Sequence, residues 1–120
     1  MILHILKRRE WNDASAKGTY TPPSLRSEGF IHCSTASQAV ATANIYFAGQ
    51  PDLVILCIDE SRLISPLKYE VPAVEGDVRP DTLFPHIYGP LNLDAIVSVH
   101  DFPCDAQGLF ELPAAFRSEL

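Results

Sequence analysis

The sequence predicts a mixed α+β domain, and three observations carry that expectation. Leu53-Val54-Ile55-Leu56-Cys57-Ile58 is continuously apolar between turn formers, the pattern of a strand covered on both faces. After Thr35, residues Ala36, Ala39, Val40, Ala43 and Phe47 recur at the three-to-four spacing of a buried helical stripe. Strand-like and helix-like pieces follow one another unevenly, with no repeat, no low-complexity tract and no linker long enough to divide the chain. At 120 residues, roughly two-thirds of the unfolded surface can be buried, so a single domain spanning 1–120 with one core is expected.

Each element has a local reason. Ile2 to Leu6 reads as a short strand, and Lys7 to Lys17 as a helix that carries Trp11 and Ala14 inward and ends at Gly18 in a left-handed cap. Thr19 to Arg26 contains Pro22-Pro23, which neither continue a helix nor pair in a central strand, so a surface loop is expected. Phe30 to Cys33 reads as the second strand. Thr35 and Gln38 then have capping-box spacing, and the helix they open runs to about Phe47, stopped by Gly49 and Pro51. Leu53 to Ile58 is expected to be a central strand, Asp59 to Ser65 a turn, Leu67 to Val71 a strand, and Ala73 to Thr82 a mobile loop. Phe84 to Tyr88 is short and extended, and Pro85 and Pro90 assign it to an edge or a bend. Ala95 to Phe102 is a β-branched-rich strand, and Pro113 to Leu120 is a helical turn or two, or a frayed end.

Composition narrows the function classes. A formal net charge of -6 weighs against broad, charge-driven nucleic-acid binding, although Lys7, Arg8, Arg9, Lys17 and Arg26 crowd the first quarter of the chain. No apolar run approaches the ~18 residues of a membrane span. The basic cluster follows the first apolar run, the reverse of a secretory signal, so a cytoplasmic location is expected. The three cysteines, Cys33, Cys57 and Cys104, have neither CxxC nor Cys/His ligand spacing, and reduced thiols with no structural metal are expected.

Two polar residues stand out in apolar frames. His32 closes a strand immediately before a helix start, beside Cys33 and Ser34, where an imidazole can face a cleft and a hydroxyl can approach a ribose or phosphate. Equally, such a histidine can hold the strand-helix corner by bonding a carbonyl, and both readings stay open. His86 lies between Pro85 and Ile87 on a stiff backbone suited to a positioned acid, base or donor. The competing reading has its ring satisfying a tight turn. His4 lies mid-strand on the face opposite Leu3 and Ile5, which alternation alone leaves open to solvent. Glu70 offers a carboxylate for stabilising developing positive charge, although exposed strand glutamates are commoner than catalytic ones. Cys33 is set aside as a nucleophile activated by His32, because successive strand residues point to opposite faces. A metal held by His4, His32 and His86 has suitable atoms but no spacing that predicts convergence.

The opening Ile-Leu-His-Ile strand, Glu10-Trp11, Gly18-Thr19-Tyr20, the string Glu28-Gly29-Phe30-Ile31-His32-Cys33-Ser34-Thr35, Lys68-Tyr69-Glu70 and the string Phe84-Pro85-His86-Ile87-Tyr88-Gly89-Pro90-Leu91 together resemble a bacterial family of domains of unknown function, family 952. That family is assigned to the ADP-ribosyltransferase-like superfamily. The resemblance implies two small, mainly antiparallel sheets around a cleft that can hold NAD, with flanking helices and a histidine on the first strand, here His4. His32-Cys33-Ser34 is similar to the His-x-Ser segment of RNA 2'-phosphotransferases, whose histidines orient ribose and phosphate groups. Two departures matter. No Gln-x-Glu or Glu-x-Glu stands in the latter half, which weighs against a toxin-like transferase, and the acidic balance without an arginine pair weighs against phosphate transfer from RNA. His86 or Glu70 is then the residue in place of the superfamily glutamate.

Three functions follow as expectations. The first is an enzyme, a transferase or hydrolase on NAD or a related nucleotide: His4, His32 and Ser34 bind ribose or phosphate, Tyr46 or Tyr88 stacks on a base, and His86 or Glu70 stabilises charge. The second is a non-catalytic module that binds a nucleotide or another small anion, and the third a protein-interaction domain with structural histidines. The enzyme and the binding module require His4, His32 and His86 in one cleft. Oligomeric state has no signature in the sequence.

Overall fold

The computed structural model describes residues 1–72, 77, 79 and 82–119, and it is an α+β structure of small antiparallel sheets and few helices. The first sheet has the order β1 (Ile2–Lys7), β4 (Leu53–Ile58), β8 (Ile96–Asp101), with β4 central and all six of its residues buried. Its register runs from Ile2 opposite Ile58 to Lys7 opposite Leu53. Alternation then divides the core. Ile2, Leu6, Val54, Leu56 and Ile58 pack on one side with Tyr20, Ile31 and Ile87, while Leu3, Ile5, Leu53, Ile55 and Cys57 pack on the other with Ala36, Ala39, Ala43 and Phe102. His4 lies on the face it shares with Ile2 and Leu6, and that face is core, not solvent. Both sides of β1 are covered, so the alternation that usually distinguishes inside from outside carries no such information there.

Helix α1 (Arg8–Lys17) follows β1 directly and ends at Gly18, whose φ of 84° and N–H to the Ala14 carbonyl at 2.8 Å make a left-handed cap. Helix α2 (Ser24–Ser27) is a single turn. Helix α3 (Ala36–Tyr46) opens with the Thr35 N–H donating to Gln38 Oε1 at 2.9 Å, and it buries Ala36, Ala39 and Ala43. Three-ten turns at Glu60–Arg62, Leu93–Ala95 and Ala114–Glu119 complete the set, so Ala95 precedes β8 instead of opening it.

Two further expectations are corrected, and α2 also begins within the expected Thr19 to Arg26 loop. Thr19–Tyr20 is not loop: it forms β2, paired with β7 (Leu91–Asn92), because the prolines begin only after these residues and their backbone donors are free to pair. The third sheet has the order β3 (Ile31–His32), β6 (Phe84–Ile87), β5 (Leu67–Glu70), which makes β6 central and not an edge. Pro85 is tolerated there because β3 is two residues long. The Pro85 carbonyl accepts from the Cys33 N–H at 3.0 Å, and the donor that proline lacks falls where pairing with β3 is already ending.

At that end the chain turns to β1. Leu3 and Ser34 exchange N–H···O bonds of 2.7 and 2.8 Å, stitching the first sheet to the third. The expected loop over Ala73 to Thr82 lies outside the described residues except for Asp77, Arg79 and Thr82. Among the described residues no helix is long and apolar enough to cross a membrane.

Candidate functional site

His32 and His86 are direct partners in the β3–β6 register, so their side chains leave the same face of the third sheet. Alternation adds Phe30, Phe84 and Tyr88 to that face, and the β5–β6 register adds Lys68 and Glu70. The opposite face sends Ile31 and Ile87 into the core. On the outer face the His86 ring stacks on Phe30, centroids 4.1 Å apart, and meets the His32 ring edge-on at 5.5 Å. Each imidazole bonds its own glutamate. His86 Nδ1 lies 2.8 Å from Glu70 Oε1, and His32 Nε2 bonds Glu28. The Tyr88 hydroxyl also donates to Glu70 Oε1, at 2.5 Å, and these two bonds, the tyrosine's first, hold the Glu70 carboxyl below the ordinary glutamate range. Because a carboxylate accepts only, the bond fixes the proton of a neutral His86 on Nδ1 and leaves Nε2 as an acceptor.

His4 is organised differently. Its Nδ1 lies 2.6 Å from the His32 carbonyl oxygen and its Nε2 2.8 Å from the Tyr20 hydroxyl. A carbonyl can only accept, so Nδ1–H donates to it and Nε2 accepts from the tyrosine, which is the neutral imidazole. Burial lowers the His4 pKa to about 4, outweighing the opposite effect of the bond to the His32 carbonyl. Both ring nitrogens are therefore committed to tying β1, β2 and β3 together.

The three imidazoles line one cleft of about 260 Å³, together with Ser34, Thr42, Tyr46, Asp77 and Arg79. Thr42 and Tyr46 come from α3 at four-residue spacing after Gln38, one polar stripe of the helix. Arg79 reaches across to them: Nη1 donates to Thr42 Oγ1 at 2.9 Å, while Nε and Nη2 grip Asp77 at 2.9 and 2.6 Å. The guanidinium also rests over the Phe84 ring at 4.3 Å. Tyr46 donates its hydroxyl to Asp77 at 2.7 Å, and the Arg79 bonds hold the Asp77 carboxyl well below the usual range.

The structure thus brings His4, His32, Ser34 and His86 into one hollow. Glu70 and Tyr88 lie outside that lining and connect to it through His86; Tyr88 instead borders a second, open hollow with Pro22, Pro23 and Arg26. Cys33 is buried on the core side, and desolvation raises its thiol pKa. Among the described residues no three histidine, cysteine, aspartate or glutamate side chains group as metal ligands. The sequence reading missed Thr42, Asp77, Arg79 and the role of Glu28. The Gln38, Thr42, Tyr46 stripe was a readable signal for the first; Asp77 and Arg79, in a proline- and glycine-broken stretch, had none.

A family model described as Protein of unknown function (DUF952) matches residues 5–99. No curated protein matches the chain significantly. Among solved structures, the X-ray crystal structure of protein CC0527 from Caulobacter crescentus is similar, with 36% identity and a TM-score of 0.81 over 92% of this chain and 93% of that one. The solution NMR structure of CC0527 is 34% identical, with a TM-score of 0.79 over 98% of this chain and 97% of that one.

Proposed function

From the premise that this chain belongs to the DUF952 family of proteins of unknown function, we propose that the histidine-lined cleft binds NAD or a related nucleotide and acts on it as a transferase or hydrolase. The supporting observation is the pair His32 and His86, cross-strand partners each tied to its own glutamate on the wall of a cleft. In imidazoles oriented this way the nitrogen turned from the glutamate is fixed in place, an acceptor for a ribose hydroxyl when the ring is neutral and a donor to a phosphate oxygen when it is protonated. The two antiparallel sheets stitched at Leu3–Ser34, with a histidine on β1 and a His-x-Ser segment that starts at the end of β3, favour the finer reading of an ADP-ribosyltransferase-like fold.

The cleft limits how such a ligand sits. About 260 Å³ is below the ~300–1,000 Å³ of sites that enclose a drug-sized molecule, so it accommodates a ribose with one phosphate, not a whole dinucleotide. The remainder of the ligand lies outside the hollow, on the outer face that carries Tyr88, where a base can stack. Within the hollow Ser34 and Thr42 offer hydroxyls. His86 Nε2, unbonded among the described residues, accepts a hydroxyl proton. His4 acts through the backbone it fixes, because its nitrogens are spent.

A second reading has its own support. Glu70, the carboxylate expected to stabilise charge, is not among the cleft-lining residues and is engaged by both His86 and Tyr88. That arrangement suits a module that holds a nucleotide or small anion without turnover. Calorimetric titration with NAD and ADP-ribose, compared between the native chain and His32→Ala, tests binding: heat lost in the variant supports it, and none from either ligand at millimolar concentration overturns it. Mass spectrometry after prolonged incubation separates the two readings.

A further inference from the structure

We propose that Arg79, Tyr46 and Thr42 form an oxyanion site in the cleft, that the Asp77 carboxylate occupies it as an internal stand-in, and that a phosphate group displaces Asp77 to bind there. The ligand class is a phosphate monoester or the phosphate of a nucleotide. This deepens the proposed function, on which it rests only for the identity of the larger ligand.

The geometry carries the argument. Asp77 Oδ1 accepts from Arg79 Nε at 2.9 Å and from the Arg79 backbone N–H at 3.4 Å. Asp77 Oδ2 accepts from Arg79 Nη2 at 2.6 Å and from the Tyr46 hydroxyl at 2.7 Å. A guanidinium fork with a further hydroxyl donor is the arrangement that binds phosphate as readily as carboxylate, since both present two coplanar acceptor oxygens at matching spacing. The third guanidinium nitrogen is held by Thr42, and the Phe84 ring supports the plane from one side, so the fork is positioned independently of Asp77.

Burial distinguishes this group from a surface ion pair. The Asp77 side chain is 3% exposed and Arg79 22%, and both line the cleft that His32 and His86 also line. A surface pair contributes little and competes poorly with water, whereas a partly desolvated fork that loses its anion leaves an uncompensated charge. The anion is therefore exchanged, not simply released. The Ser34 hydroxyl donates to Thr42 Oγ1 at 3.5 Å, as Arg79 does, so the threonine's own proton is left to meet an anion between Arg79 and the imidazoles. A phosphate in place of the Asp77 carboxylate would connect the Arg79 wall to the histidine wall.

The test uses inorganic phosphate on the full chain, followed by amide NMR. In the native protein phosphate competes with Asp77 and binds weakly. In Asp77→Ala the affinity rises by about tenfold or more, with shifts at Thr42 and Tyr46, because the competing anion is gone. The double variant Asp77→Ala/Arg79→Gln loses that gain. Equal affinity in native and Asp77→Ala protein, or shifts mapping away from α3, overturns the proposal. If Asp77→Ala fails to fold, Asp77→Asn is read in the same way, and Tyr46→Phe must weaken phosphate in that background. Phosphate binding that follows this pattern stands even if NAD and ADP-ribose give no heat, so this proposal and the nucleotide reading fail separately.

Discussion

Glu70 and His86 are diagonal neighbours across the β5–β6 pair, Glu70 lying two residues beyond Lys68, the direct partner of His86. Their 2.8 Å bond joins a half-exposed carboxylate to a ring that is 2% exposed. Direct partners in a sheet bring two side chains side by side, while the diagonal gives a long side chain the reach to meet the next ring end-on. The pairing therefore fixes the proton position on His86 without filling the cleft.

Glu70→Gln tests that consequence. A neutral amide replaces a charge-assisted bond with one roughly half as strong and can present either a donor or an acceptor to Nδ1. Nitrogen-15 spectra of the native imidazole at neutral pH are expected to show His86 protonated on Nδ1, and the variant to show a tautomer mixture with the amide spectrum otherwise preserved. An unchanged His86 tautomer would mean that Glu70 is not what orients the ring.

The His4–Tyr20 bond makes an energetic prediction. His4→Ala removes the partner of two buried groups, the His32 carbonyl and the Tyr20 hydroxyl, and each orphaned group costs about 1–3 kcal/mol. Tyr20→Phe removes only the hydroxyl but orphans the buried His4 Nε2, and costs about 1–3 kcal/mol. Since the two residues touch, urea denaturation of the single and double variants should give a coupling of about 0.5–3 kcal/mol. Additive losses would show that the bond contributes nothing of its own.

Much of this architecture was legible because local pattern and tertiary environment agree. The apolar run Leu53–Ile58 is the central strand it reads as, and Ala36, Ala39 and Ala43 are the buried stripe of α3. Legibility failed where the decisive partner is remote. Pro85 marks an edge strand by its own chemistry, but whether a missing donor matters depends on how long β3 is. Alternation left the face of His4 open between solvent and interior, and it is core because β2 and β3 cover it. His32 and His86 were readable as polar residues in apolar frames; that their rings meet depends on a two-residue register that no local signal contains.

His4 also makes stability depend on pH. Its folded pKa is about 4 against an ordinary value of 6.5, because burial penalises the charged ring. As pH falls through 6.5 the unfolded chain takes up a proton that the folded one refuses until about 4. Stability therefore drops across that window and not further below it, by at most about 3 kcal/mol from this group. The Glu70 and Asp77 carboxyls, whose pKa values are lowered, lose their contribution only at more acidic pH. Denaturation at pH 7, 5.5 and 4.5 should show the decline in the native chain and a flatter profile in His4→Asn. Parallel profiles would assign the decline to other groups.

Within the string Ile87-Tyr88-Gly89-Pro90, Gly89 has a packing explanation. Gly89 has φ +152°, and a Cβ built there would lie 2.5 Å from Ser65 Oγ and 3.0 Å from Ser65 Cβ. Ser65 cannot simply withdraw, because its hydroxyl donates to the Pro90 carbonyl at 2.7 Å and clamps the turn after β6. Gly89→Ala therefore combines a strained backbone with a collision and should cost about 1–3 kcal/mol in urea denaturation. Adding Ser65→Ala relieves the closer contact and should recover part of the loss, while the backbone strain and the Cβ contact keep the rest. A Gly89→Ala protein as stable as the native chain would leave the glycine in this motif without a structural reason.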